Sequence, residues 1–378
     1  MSSIYIHIPF CKQACHYCDF HFSTSMKRKS ALVNALCQEL VLRKDELKIP
    51  VQNIYFGGGT PSLLKAEELE QIFGTIHKHF KIADSPEITL EANPDDITEE
   101  LLRTLKREGI NRLSLGVQSF FEEDLKLMNR AHNVQQAHES IELVKHYFDN
   151  FSIDLIYGMP DMDLFRWETN LQKAMDFQIP HLSCYALTVE TNTALHTFID
   201  KAIIPPIDED MAASHFDLLY DMMIEKGYDH YEFSNFGKPG YFSQNNLNYW
   251  LGRPYLGIGP SGNGYDGKNK RTWNIKNNIK YIKAIANNEL PQNVELLSKT
   301  DQYNEFIMTR LRTKWGVDFD EIMSNFGKEF YDYLILQMQN LLDDGCLEIK
   351  DNHLIITKKG KFLSDGIAAE LFKIDMKV

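Results

Sequence analysis

The chain has 378 residues, 43% of them hydrophobic, which suffices for one large domain with a substantial buried core plus a smaller one. Its 40 Lys and Arg against 53 Asp and Glu leave a net charge of −13, which repels a phosphate backbone and argues against nucleic acid as a partner. No stretch reaches the roughly 18 apolar residues of a membrane span, and the opening MSSIYIHIPF lacks the basic-then-apolar layout of a secretion signal, so a cytoplasmic protein is expected.

Short apolar, β-rich runs recur along the first half, at 4–10 (IYIHIPF), 53–59 (NIYFGGG), 87–93 (EITLEAN), 112–118 (RLSLGVQ), 151–160 (FSIDLIYGMP) and 181–187 (HLSCYAL). Segments with helical spacing of apolar residues lie between them, at 31–47, 66–80, 98–109 and 137–147. This alternation predicts an α/β fold with a parallel sheet and crossover helices, as an open doubly wound sheet or a full or partial barrel. Gly57, Gly58, Gly59, Glu91, Gln118 and Asp154 fall at or just past the strand C-termini, the end where such folds place their chemistry. From about residue 298 the pattern changes to helices followed by a hairpin-like pair, CLEIKDN and HLIITKKG, which predicts a compact winged-helix-like domain. That stretch is not basic enough for DNA, so a structural or protein-contact role is expected of it. The expected division is therefore a barrel over 1–235, a connecting segment with an Asn- and aromatic-rich loop packed on it over 236–297, and the C-terminal domain over 298–378.

The stretch HIPFCKQACHYCDF places Cys11, Cys15 and Cys18 within eight positions, which argues for ligation or catalysis rather than a disulfide framework. Cys37, Cys184 and Cys346 are scattered and read as ordinary buried thiols. A zinc site would have to draw its fourth ligand from His16, Asp19 or His21, and no second Cys pair follows at finger or ribbon spacing. A cubane iron–sulfur cluster takes one thiolate per iron, so three cysteines leave one iron open to a small ligand. The glycines of FGGGTP remove side chains where backbone can approach a ligand closely, and no Gly-Lys-Ser/Thr follows to make a P-loop.

The Cys-x3-Cys-x2-Cys spacing, with Tyr17 before the last cysteine, resembles the signature of radical S-adenosylmethionine (SAM) enzymes. The set HIPFCxxxCxYCDF, FGGGTPSLL, LEANPDD, RLSLGVQSF, DLIYGMP and LGIGPSG resembles the HemN/HemW group of that superfamily over essentially the whole chain. The resemblance implies a partial (β/α)6 TIM-like barrel with a mostly helical, winged-helix-like C-terminal domain. It also implies a [4Fe–4S] cluster on Cys11, Cys15 and Cys18, whose open iron is chelated by SAM and whose electron cleaves SAM to a 5′-deoxyadenosyl radical. The SAM contacts it implies fall on Tyr5, Tyr17, Gly58, Gly59, Thr60, Glu91, Gln118, Arg130, Asp154 and Ala186. A carboxylate and an amide suit ribose hydroxyls, and Arg130 and Asp154 suit a zwitterionic ligand. A reductant of the flavodoxin or ferredoxin type is an implied partner, and one or two bound SAM molecules remain open.

Two branches of the group differ in function. One oxidatively decarboxylates coproporphyrinogen III in porphyrin biosynthesis; the other keeps the cluster and SAM site but hands haem to acceptor proteins. The dehydrogenase branch carries a further cysteine where this chain has Phe20, and a longer segment before its cysteine motif. Residues 245–250, NNLNYW, stand where the chaperone branch carries His-Asn-x-x-Tyr-Trp, a motif associated with haem. The chaperone branch is therefore expected, with haem or another tetrapyrrole and a haem-accepting protein as partners and Asn246, Tyr249 and Trp250 as haem contacts. Asn245 replaces the motif's His, and a neutral amide is a poor iron ligand; His215, His230 and Cys184 are then the candidates for an axial ligand. The dehydrogenase, a HemN-like methyltransferase using two SAM molecules, and a structural zinc protein without radical chemistry stay as alternatives.

Overall fold

The computed structural model describes residues 2–374. Six strands follow one another in the sheet in chain order, all parallel: β1 (Ser2–Ile8), β2 (Val51–Gly58), β3 (Ile82–Ala92), β4 (Arg112–Gln118), β5 (Phe151–Tyr157) and β6 (His181–Ala186). The crossovers carry helices α1 (Lys29–Leu42), α2 (Ala66–His79), α3 (Glu99–Arg107), α4 (Glu122–Leu127), α5 (Val134–Tyr147) and α6 (Leu164–Asp176). The strands are less uniformly apolar than their sequence suggests. Alternate residues point to opposite faces, and Ile4, Ile6, Ile54, Phe56, Leu90, Leu113, Leu115, Ile153, Leu155 and Leu182, all 0% exposed, pack against helix residues such as Leu36, Leu69, Leu102 and Leu171. The intervening positions are polar: Tyr5 and His7, Asn53 and Tyr55, Thr89 and Glu91, Arg112 and Ser114, Ser152 and Asp154, His181 and Ser183. They line the concave side, as the bonds between Ser114 and Ser152 (2.8 Å) and from Tyr55 to Glu91 (2.8 Å) show.

After helices α7 (Ala194–Asp200) and α8 (Glu209–Glu225), β7 (Asp229–Glu232) and β8 (Asn235–Gly237) close one side, with β8 antiparallel to β6. On the other side β9 (Tyr255–Ile258) adds in parallel to β1, and β10 (Asn263–Tyr265), β11 (Lys270–Asn274) and β12 (Gln292–Leu296) continue as an antiparallel extension, giving 12 strands. Between the two sides, α9 (Gln244–Trp250) lies against β1 and β2.

The C-terminal region has its own core, centred on Tyr303, Ile307, Leu334 and Leu354, each 0% exposed. It comprises α11 (Lys299–Leu311), α12 (Phe319–Asn325) and α13 (Lys328–Gln337), and a three-stranded sheet of β13 (Val317–Asp318), β14 (Leu347–Lys350) and β15 (His353–Ile356), whereas the preceding α10 (Asn278–Ala286) packs on α1 and buries Tyr281 and Ile285 in the barrel core. Ser298 and Asp301 form a capping box that starts α11. Asp351 and Asn352, both at positive φ, make the tight turn of the β14–β15 hairpin. Among the described residues no helix is long and apolar enough to cross a membrane.

Glu39 of α1, 0% exposed, ties the antiparallel extension to the barrel. Its carboxylate accepts from Arg43 Nη1 (3.1 Å), Gly259 N (2.8 Å), Asn274 Nδ2 (2.8 Å) and Tyr281 Oη (2.5 Å). Removing one member of a buried charged network typically costs about 3–5 kcal/mol. Glu39→Ala is therefore expected to lower stability by that order in a denaturant titration; a loss below about 1 kcal/mol would show that these bonds do not hold the extension.

Candidate functional site

The cysteine loop follows β1 and is pinned at several points. Cys11 N donates to Ser23 O (3.1 Å) and His16 N to Met128 O (3.0 Å). His16 Nδ1 donates to Leu127 O (2.8 Å), and Asn129 Nδ2 to Ala14 O (2.7 Å). Cys11, Cys15 and Cys18 are partly buried free thiols. Burial pushes Cys11 up and Cys18 up to about 12, and the neighbouring sulfurs add to both shifts. Among the described residues no three His, Cys, Asp or Glu side chains converge on a single ion position; a cubane, by contrast, takes each thiolate on a different iron.

Arg130 joins this loop to the barrel mouth. Its Nη1 donates to Cys15 Sγ (3.3 Å) and Tyr17 Oη (3.4 Å), and its Nη2 to Asn93 Oδ1 (2.7 Å) and Gly116 O (2.8 Å). Gly116 is needed there, because a Cβ would stand 3.1 Å from both Arg130 Nη2 and Gln118 Nε2. Gln118 itself has φ +68, a left-handed backbone that closes β4. Thr60 accepts from Asn93 Nδ2 (3.2 Å) and hydrogen-bonds Cys11.

The glycine turn is crowded by protein. At Gly58, with φ +105, a Cβ would lie 2.5 Å from the His7 ring, and at Gly59 it would lie 2.6 Å from Phe10 O. Gly58 N donates to Glu91 Oε2 (3.1 Å) and Gly59 N to Ile8 O (2.9 Å), so a contact from these residues to an ammonium group goes through their carbonyl oxygens.

Glu91 also accepts from Tyr55 Oη (2.8 Å). Burial pushes it up to about 7; the Tyr55 bond pulls it down and Asp154 pushes it further up. Asp154 is likewise pushed up to about 6 by burial, against hydrogen bonds from Ser183 and Ser114 and the field of Arg112 and Arg130. Tyr5 donates to His7 Nδ1 (3.2 Å) and stacks on Tyr55, and Ala186 ends β6, paired with Tyr157 of β5. Thus Tyr17, Gly58, Gly59, Thr60, Glu91, Gln118 and Ala186 lie at the C-terminal ends of the barrel strands or on the loops that leave them, Tyr5 and Asp154 are mid-strand on β1 and β5, and Arg130 is on the loop between α4 and α5. His7, Tyr55, Asn93 and Ser183 join them without having been singled out in the sequence. The available signal was a polar residue at each inward position of an otherwise apolar strand.

A cavity of about 740 Å³ opens beside this mouth, walled by α9, the β7–β8 turn, β9 to β11 and helices α11 and α12. Asn246, Tyr249 and Trp250 all line it, with Tyr255, Tyr265, Phe306, Arg271 and Arg310. Glu232, 2% exposed, lies in its floor; burial pushes it up to about 7, while Ser234 N, Arg312, Trp250 and Asn246 pull it down. Tyr185 lines the cavity and feels the charge of Asp154, Glu232 and Glu91, so it stands between cavity and barrel mouth. Asn245 is not in the cavity wall: its side chain is 5% exposed, and its backbone N–H serves Glu87. His215, His230 and Cys184 are outside it too. His215 accepts from Gly158 N (3.2 Å), His230 stacks on Phe236 at 4.4 Å, and Cys184 is 2% exposed.

A parallel barrel whose mouth gathers a three-cysteine loop, a glycine turn and buried polar strand ends defines the radical SAM class. The family model described as "Radical SAM superfamily" matches residues 5–172, and that described as "HemN C-terminal domain" matches 297–363. The heme chaperone HemW of Lactococcus lactis is 33% identical over 376 residues, covering 99% of this chain and 98% of that protein. HemW of Bacillus subtilis is 32% identical over 372 residues (97% and 98%), and HemW of Escherichia coli is 32% identical over 384 (98% and 97%). The chain belongs to the HemW family of radical SAM proteins. Its fold also matches E. coli coproporphyrinogen III oxidase (HemN), a radical SAM enzyme, with a TM-score of 0.85 over 98% of this chain and 90% of that one, at 23% identity.

Raised carboxyl groups cost stability when they ionise. Glu91, moved from 4.5 to about 7, favours the fold while protonated, and that contribution fades as pH rises through about 7. In the SAM-free protein, the melting temperature of wild type is expected to fall relative to Glu91→Gln across this range. Parallel pH profiles for the two proteins would contradict the assignment.

Proposed function

We propose that this protein is a haem chaperone that carries a SAM-ligated [4Fe–4S] cluster beside its haem cavity. The observation that carries the reading is the pairing of two adjoining sites: three thiols and two buried carboxylates at the barrel mouth, and an aromatic cavity across Tyr185. Cys11, Cys15 and Cys18 would each hold one iron, and SAM would take the fourth. The donor set suits both groups, since iron binds thiolates directly and the barrel mouth has buried acids for a ligand bearing ammonium and sulfonium charge. When bound and reduced, the cluster supplies one electron to the SAM sulfonium. A small protein of the flavodoxin or ferredoxin type would deliver that electron.

The protein's own residues have separable tasks in this reading. Arg130 holds the cysteine loop against β4 and faces the sulfurs. Glu91, fixed by Tyr55 and Gly58, and Asp154, fixed by Ser114 and Ser183, receive the polar and cationic parts of SAM, with Tyr5, Tyr17, Gly59, Thr60, Gln118 and Ala186 around it. In the cavity, Tyr249, Trp250 and Phe306 offer flat faces to a macrocycle, and Arg271 and Arg310 offer charge to its propionates. Haem is the cargo because the relatives that match nearly the whole chain are named for carrying it; an acceptor protein would take it up.

The test is a two-arm experiment on anaerobically reconstituted protein. Ferric haem titrated into it is expected to bind with saturable, one-to-one absorbance changes, and coproporphyrinogen III given with SAM and reductant is expected to yield no decarboxylated product. Cys15→Ser is expected to lose the brown cluster absorbance. Decarboxylated porphyrin formed in step with 5′-deoxyadenosine would make the protein an oxidative decarboxylase instead, and full four-iron content in Cys15→Ser would remove the cluster assignment.

A further inference from the structure

Haem iron is commonly held by His, Cys or Met, yet among the described residues lining the cavity there is no His, Cys or Met. Asn245 does not line the cavity, and neither do His215, His230 or Cys184. The donors that do face the cavity are oxygens and amines, and tyrosine is among the side chains that ligate haem iron as phenolates.

Four tyrosines stand in the wall, and their surroundings differ. Tyr185 is pushed up by burial and by the carboxylates Asp154, Glu232 and Glu91 around it. Tyr265 Oη donates to Lys268 O at 2.7 Å and is thereby turned to its own hairpin. Tyr249 is surrounded by Tyr255 and Tyr5, which with burial push it up, and no cation offsets them. Tyr255 lies between these two, its ring 4.3 Å from that of Tyr249 and 6.3 Å from that of Tyr265. Burial pushes Tyr255 up to about 12; Arg271 pulls it back, while Glu305 and Tyr265 add to the rise. Arg271 is on β11, in the same cavity wall, and its other partner is Glu305 of α11.

We propose that Tyr255 is the axial iron ligand for ferric haem in this cavity, binding through its phenolate oxygen with the Arg271 guanidinium beside it. The proposal rests on the haem-chaperone reading above. On binding, the iron–oxygen bond forms, the phenolic proton passes to solvent and the iron stays ferric, so no redox partner is required. Trp250 and Phe306 then flank the macrocycle from α9 and α11. This accounts for how a chain with Asn at position 245 keeps a haem site: the ligand comes from the strand beside the motif helix rather than from the helix.

Ferric haem is titrated into the wild-type protein, Tyr255→Phe and Tyr265→Phe, and each complex is read by absorption, electron paramagnetic resonance and resonance Raman spectroscopy. Wild type and Tyr265→Phe are expected to show high-spin ferric iron with a phenolate charge-transfer band and iron–phenolate vibrations. Tyr255→Phe, with circular dichroism and melting temperature like wild type, is expected to lose both signatures and to bind haem at least tenfold more weakly. A low-spin, nitrogen-ligated spectrum in wild type, or phenolate signatures that survive Tyr255→Phe, would overturn the ligand assignment while leaving the chaperone reading intact. Absence of haem binding by wild type would overturn both.

Discussion

The barrel mouth is short of positive charge. Arg130 reaches Cys15 Sγ at 3.3 Å and is within the field of Asp154 and Cys11, and Arg112 also acts on Asp154, yet two buried carboxyl groups and three thiols gather against these two guanidinium groups. Burial raises both Glu91 and Asp154, and Asp154 raises Glu91 further, so ionising these groups in the free protein is costly. A ligand that brings ammonium and sulfonium charge and an iron cluster that takes up thiolates relieve this imbalance together. Tyr55 and Gly58 donate to Glu91, Ser114 donates to Asp154 and Asn93 accepts from Arg130, and all four partners are placed by the parallel strands and their ends.

That charge balance depends on an inward face that the sequence shows only in part. The strand and helix alternation, the three cysteines, the glycine turn and the acids of LEANPDD and SIDLIYG were legible because each is local. The pairing of Tyr55 with Glu91 depends on register between strands, and that of Arg130 with Gly116 on a loop folding back onto β4, neither of which periodicity encodes. The glycine turn also carries a second constraint, since its tightest contacts are with His7 and Phe10 of the neighbouring segment rather than with open space. The motif helix shows the same limit. Asn246, Tyr249 and Trp250 line the cavity, while Asn245, one helical turn before Tyr249, is buried beside that face with its backbone N–H on Glu87. A motif read as a string does not reveal which of its positions the neighbouring elements cover.

The cavity was the least legible feature because its walls come from four separated stretches. The 236–297 segment does more than connect: β9 to β12 extend the barrel sheet, and Glu39 anchors them through Gly259 and Asn274. The C-terminal helices close the opposite side, with Arg310 Nη1 donating to Trp250 O at 2.8 Å and Arg271 paired to Glu305. The cavity therefore lies between two separately packed cores and is bridged by charged contacts rather than by continuous apolar packing, an arrangement suited to admitting and releasing a large flat cargo. Tyr185, 44% exposed, is the side chain shared with the SAM end of the barrel.

The central claim is that cargo and cluster occupy adjoining sites in one chain, and it is tested most directly by the electron spin relaxation of the reduced cluster. Adding ferrous haem, which is paramagnetic when high-spin and takes no electron from the cluster, to the reduced protein is predicted to speed that relaxation markedly, through dipolar coupling to the nearby iron. Relaxation unchanged at saturating haem would place the cargo far from the barrel mouth and contradict the account.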